Sequence, residues 1–167
     1  MAKATSNIEN RLIECLNSGL TTHGFEKASL SRFHALDDFP LDVWKHKTIS
    51  DNQAVVFLPL LGTKANPGKL AQAIKMPFGK AIGYVPFFYP LRLHVIFLGN
   101  AIVNKAKKLE DFLDRADSYR VILQSIHLVD SASMNSVSVR APGDIAARSQ
   151  HEIESSIQTF LQAAKNG

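Results

Sequence analysis

Apolar residues recur along this chain with two periods, and the switches between them mark out its elements. Ile8, Leu12, Cys15 and Leu16 fall at helical spacing behind Ser6-Asn-Ile-Glu9, which has the form of a capping box. The pattern predicts a first helix from about Asn7 to Ser18, ended by Gly19 or Gly24. Phe25 to Leu36 alternates and reads as a strand, with Leu30, Arg32, His34 and Leu36 on one side and Ser29, Ser31, Phe33 and Ala35 on the other. Leu41 to Ile49 and Gln53 to Leu61 are β-rich runs joined at Ser50-Asp51-Asn52, as in a hairpin.

Helical spacing returns after Asn66-Pro67-Gly68, with Leu70, Ala73, Ile74 and Phe78 on one face and an irregular end at Pro77 and Gly79. Leu91 to Leu98 is the best strand pattern in the chain. It turns at Gly99-Asn100 into a predicted third helix that buries Ile102, Leu109, Phe112, Leu113 and Ala116. Tyr119 to Val129 reads as the next strand, so strand, helix and strand form a βαβ unit. Val137 to Arg140 hairpins back through Ser131–Asn135. Ser149-Gln-His-Glu152 has the form of a second capping box, opening a last helix with Ile153, Ile157, Phe160, Leu161 and Ala164 as its stripe. The order α-β-β-β-α-β-α-β-β-α predicts an α+β fold: a mixed sheet of about six strands, helices packed mainly on one face.

Composition narrows the class without naming a function. The chain has 167 residues, 46% of them hydrophobic and 20% charged, which fits one globular domain over 1–167 with frayed ends. The single cysteine, Cys15, forms no internal disulfide and reads as a small core residue. No apolar run follows the N-terminus as in a secretory signal, and Pro86, Pro90, Arg92 and His94 interrupt the most apolar stretch. No transmembrane segment is expected, and the cytoplasm is the expected location.

Charge changes the picture more. The net charge of +4 is unevenly spread: from Asn52 to Leu109 there is no Asp or Glu, but there are Lys64, Lys69, Lys75, Lys80, Arg92, Lys105, Lys107 and Lys108. A basic centre of this kind points to an anionic partner: a nucleic acid, a phosphorylated small molecule or an acidic protein. Phe87, Phe88 and Tyr89, in a proline-bracketed loop, would stack on bases or serve as the contact of a homo-oligomer. Arg-x-His occurs twice, as Arg32/His34 and Arg92/His94. Neighbouring strands would bring the four together on one phosphate or carboxylate. The plainer reading is a solvated sheet face with hydrogen-bonded histidines. Ser125 and His127 share one face of their strand, with Gln124 and Asp130 on the other. The Gly99-Asn100 turn would offer main-chain amides to an anion.

The catalytic patterns are incomplete. His46-Lys47-Thr48-Ile49 resembles the His-x-Thr-hydrophobic tetrad of two-histidine phosphoesterases, but neither His94 nor His127 supplies a second copy. The order helix, three strands, helix, strand resembles the core of restriction-endonuclease-like nucleases. That chemistry needs an acid on the second strand, for which Asp42 would serve, and an acid-x-Lys on the third. Gln53-Ala-Val-Val-Phe-Leu supplies neither. No zinc spacing or nucleophile elbow is present, and no cofactor or metal is expected. The expectation is therefore a non-catalytic binding module with a basic, anion-facing centre. A phosphoesterase- or nuclease-like enzyme and a homo-oligomeric interaction domain are the alternatives.

Overall fold

The structure is a computed structural model and describes residues 2–28, 41–48, 52–60, 65–82, 90–114, 121–141 and 147–166. Its elements are α1 (Ala2–Thr22), β1 (Glu26–Lys27), β2 (Asp42–Lys47), β3 (Asn52–Pro59), α2 (Pro67–Ile82), β4 (Leu91–Gly99), β5 (Val121–Asp130), β6 (Asn135–Arg140) and α3 (Ala147–Lys165). The six strands form one mixed sheet in the order β1-β2-β3-β4-β5-β6. β1, β2 and β3 run antiparallel, β3, β4 and β5 parallel, and β6 antiparallel to β5. Each parallel step needs a crossover. α2 makes the first, and two 3-10 turns, Ile102–Lys105 and Leu109–Phe112, lie in the second.

That second crossover departs from the predicted third helix. Ala101 and Lys108, which open the two turns, both adopt left-handed backbone (φ 52° and 66°), so an α-helix cannot run through either. The apolar spacing is still used, because Ile102 and Leu109 are buried. The capping boxes also yield to the structure: α1 starts at Ala2 and α3 at Ala147, placing Ser6 and Ser149 inside helices. Ala2–Thr5 thus belong to α1 instead of a frayed end. α1 ends at Gly24, which adopts φ +83°. There Phe25 N–H donates to the Leu20 carbonyl and Gly24 N–H to that of Thr21, a Schellman closure. α2 starts at Pro67 and is capped by Asn66, whose Oδ1 accepts Lys69 N–H at 3.1 Å. It continues past Pro77 and Gly79 to Ile82.

Strand alternation divides the core in two. Ala54, Val56 and Leu58 of β3 and Leu91, Leu93, Val95 and Phe97 of β4 pack with Ala71 and Ile74 of α2. On the other face, Val55, Phe57, Ile96 and Leu98 pack with Leu12, Leu16 and Leu20 of α1 and Ile153, Ile157, Phe160 and Leu161 of α3. α1 and α3 meet closely at Gly19, where a Cβ would lie 2.0 Å from Ser156 Oγ. Two of the three helices therefore share one face and α2 covers the other. No helix among the described residues is long and apolar enough to cross a membrane.

Candidate functional site

Two groups of polar residues emerge, on opposite faces of the sheet. The first is buried beneath α1 and α3. β4 carries Arg92 and His94 on that face, and β3 carries Gln53. β5 would present Ser125 and His127 on the same face as Val121 and Leu123 if it alternated strictly. An irregularity intervenes: Leu93 pairs with Leu123 but His94 pairs with Ser125, leaving Gln124 as an extra residue. This bulge reverses the alternation. It keeps Leu123 and Ile126 together on the α2 face and turns Ser125 and His127 toward His94.

The result is a continuous hydrogen-bonded chain across four strands. Gln53 Oε1 lies 3.2 Å from His94 Nε2. Ser125 Oγ lies 2.7 Å from His94 Nδ1 and 2.8 Å from His127 Nε2, and His127 Nδ1 lies 2.8 Å from Ser138 Oγ. Its proton order follows from one end. The Gln53 carbonyl oxygen only accepts, so His94 Nε2 carries hydrogen. For a neutral ring, His94 Nδ1 then accepts from the Ser125 hydroxyl. Ser125 in turn accepts from His127 Nε2–H, and the Ser138 hydroxyl donates to His127 Nδ1. Every member is satisfied in this one arrangement, and both histidines are Nε2–H tautomers.

Neutrality is enforced by the surroundings. His94, Ser125 and His127 are each 0% exposed. Both histidines are pushed down from an ordinary value of 6.5 to about 3; burial is the largest cause, and at His94 the neighbouring His127 and Arg92 contribute to the shift. The expected solvated sheet face is thus corrected: the histidines are hydrogen-bonded but buried, because α1 and α3 cover this face. With both ring nitrogens engaged, His94 presents no atom to an external anion. Arg92, beside it in sequence, is partly exposed.

The second group is basic and surrounds the start of α2. Lys105 Nζ donates to the Ala65 carbonyl at 3.1 Å, tying the end of the first 3-10 turn to the residues before α2. The second turn is pinned beside it: Gln72 Nε2 donates to the Phe112 carbonyl, and the Phe112 ring fills the space a Cβ on Gly68 would need. Lys69, Lys107 and Lys108 are exposed around this junction, followed by exposed Glu110 and Asp111. Lys75, farther along α2, is instead bound 2.7 Å from Asp114 Oδ2, which also accepts Leu123 N–H at 2.6 Å.

The amides after Gly99-Asn100, expected to greet an anion, already hold one. The Asp130 carboxylate accepts from Ala132 N–H at 2.9 Å and Ser133 N–H at 3.1 Å, and the nearby main-chain amides of Ala101 and Val103 also favour its charged form. Burial alone would raise this carboxyl, but those donors outweigh it and hold the group below its usual range. Sequence reasoning placed Asp130 on the correct face without seeing this use, since the β4 turn and the end of β5 meet only in the fold.

The expected site residues therefore do not form one cluster. Arg92 and His94 lie on the α1/α3 face, and Lys69, Lys75, Lys105, Lys107 and Lys108 belong to α2 and the second crossover. Arg32, His34, Lys64 and the loop residues Phe87, Phe88 and Tyr89 lie outside the described residues, and only the place of Lys80 in α2 is described. His46 packs its ring edgewise on Phe25 at 5.2 Å, one strand beyond Gln53. Asp42 is paired with Lys27 at 2.7 Å, and β3 presents no acid or lysine beside it. Among the described residues, no group of three His, Cys, Asp or Glu side chains could hold a metal ion.

Cys15 lines a groove between α1 and α3 with Ser18, His23, Glu152 and Thr159. Burial raises its thiol, the reverse of what an activated nucleophile needs. No family model, no curated protein and no solved structure matches the chain.

Proposed function

We propose that this protein is a non-catalytic module that binds a polyanion, a nucleic acid first, at the basic rim around the start of α2. The observation that carries the reading is the tether from Lys105 to Ala65, which holds the second crossover, with its exposed Lys107 and Lys108, against the residues that lead into α2 and its exposed Lys69. Ammonium groups on flexible stems grip phosphates as point charges, so such a rim reads charge and not sequence. Main-chain amides contribute little here. Pro67 has no N–H, Asn66 takes that of Lys69, and Asp130 takes those after Gly99.

The buried chain supports the same reading from the other side. Among the described residues, the only histidines close enough to cooperate are neutral, covered and saturated with partners, which suits a framework better than acid–base chemistry.

The test is fluorescence anisotropy with labelled single- and double-stranded DNA and RNA. Three phosphate contacts on a duplex, one for each exposed lysine of the rim, predict a loss of affinity of about fortyfold between roughly 50 and 200 mM salt. Binding that is absent at the lower salt, or indifferent to salt, would remove nucleic acid and leave the phosphorylated small molecule or acidic protein to be titrated next.

A further inference from the structure

We propose that the outer edge of β6 pairs with β6 of a second copy of this chain, in an antiparallel register centred on Ser138. The two ends of the sheet differ in how they are guarded. β1 at one end is two residues long, both exposed and charged, Glu26 and Lys27. Short charged edges of this kind discourage further pairing. β6 at the other end is six residues, Asn-Ser-Val-Ser-Val-Arg, with no proline, no lysine and no register shift against β5. Among the described residues, no strand pairs with its outer side.

The direction of its main-chain groups follows from one bond. Ala141 N–H donates to the Gln124 carbonyl, so the main chain at 141 faces β5. Alternation then turns that of 139, 137 and 135 inward and that of Arg140, Ser138 and Ser136 outward. Three outward residues with a serine in the middle are self-complementary about a two-fold axis. Ser138 meets Ser138, Ser136 meets Arg140 twice, and about six main-chain hydrogen bonds close with none left over.

The side chains agree with that register. Val137 of one copy stands opposite Val139 of the other, with no like charges facing. Val139 already packs partly against the α2-side core, so pairing extends that apolar row through both sheets. A one-residue slip would set valine against serine from opposite faces.

The register is directly testable. With Cys15→Ser throughout to remove the only native thiol, Val137→Cys and Val139→Cys are made as separate proteins. A facing pair not bonded through its main chain has Cα atoms about 4.5 Å apart, within disulfide reach. The mixture is expected to form a covalent dimer on mild oxidation, and neither protein alone is expected to do so. Sedimentation velocity should show a concentration-dependent dimer that Ser136→Pro abolishes. The proline removes an outward N–H and none of the ladder to β5, so circular dichroism should be unchanged.

Monomer at every concentration would overturn the proposal. So would a dimer indifferent to Ser136→Pro in a folded variant, or cross-linking by either single-cysteine protein alone.

Discussion

Among the described residues, the α2 face buries more aliphatic side chains than the α1/α3 face, and the two treat polar groups in opposite ways. The α2 face excludes them from its centre and keeps its charges at the rim, where Lys75 meets Asp114 and Lys69, Lys107 and Lys108 meet solvent. The α1/α3 face draws Gln53, His94, Ser125, His127 and Ser138 inward and closes them into one chain. Residue type alone is therefore a poor guide to accessibility: two of the histidines, His94 and His127, are completely enclosed. Simple lysines are what the fold leaves available to a partner. A buried polar network that is fully satisfied also favours its own geometry, since moving any one member out of register would leave its neighbours buried without a partner.

Acid should separate the faces most strongly. In the unfolded chain both histidines take up protons near pH 6.5, whereas in the fold they resist to about 3. Between those limits the unfolded state binds more protons, so stability is fully present above 6.5 and lost as pH falls. The loss is on the order of 1 kcal/mol per pH unit for each histidine that must take up a proton. Urea unfolding followed by circular dichroism from pH 7 downward should show the decline beginning near 6.5. The contribution of Asp130, whose carboxyl is depressed, is lost only below about 4 as that group protonates. A His94→Gln/His127→Gln variant should lack the upper part of the decline. An unchanged profile would assign the acid sensitivity elsewhere.

At fixed neutral pH the contrast becomes one of atoms removed. Ser125→Ala deletes a single oxygen but strips a partner from both rings, at about 1–3 kcal/mol for each unsatisfied group. Leu93→Ala on the α2 face deletes three carbons and should cost about 2–5 kcal/mol through lost burial and a cavity. Equilibrium denaturation should find the two losses comparable. A Ser125→Ala loss well under 1 kcal/mol would mean that water replaces the hydroxyl, and the chain would not be the closed network described.

Much of this frame was legible in the sequence. Helical and strand periods located α1, α2, α3 and β2 to β5, because each element buries a face along most of its length. The second crossover was misread, since Ile102 and Leu109 keep a helical spacing while Ala101 and Lys108 break the backbone between them. Gln124 was invisible as a bulge for a related reason. Period-two counting assumes that no residue is extra, and the bulge is what puts Ser125 opposite His94. The pairing of Ser125 with His127 was readable from their spacing. Their joining to Gln53 and His94 was not, because strand order is a long-range property. Among the lysines, sequence supplied the cluster and its lack of acids, but not that Asp114 claims Lys75 from the next segment.

The lysines supply the smallest stability effects and the sharpest division of labour. Lys75 and Asp114 are 16% and 17% exposed, so their pair is sheltered, and Lys75→Ala should cost about 1–2 kcal/mol. Lys107 and Lys108 are exposed, and replacing both by Ala should leave stability within about 0.5 kcal/mol. If the rim binds a polyanion, the order inverts in a binding assay. Losing Lys107 and Lys108 should weaken binding uniformly across sequences and shallow the logarithmic salt slope by about one for each lysine, while Lys75→Ala should leave the slope alone. One protein series measured both ways thus distinguishes a lysine that holds the fold from one that holds a partner. Equal slopes for Lys75→Ala and the Lys107/Lys108 variant would place the binding surface away from the start of α2.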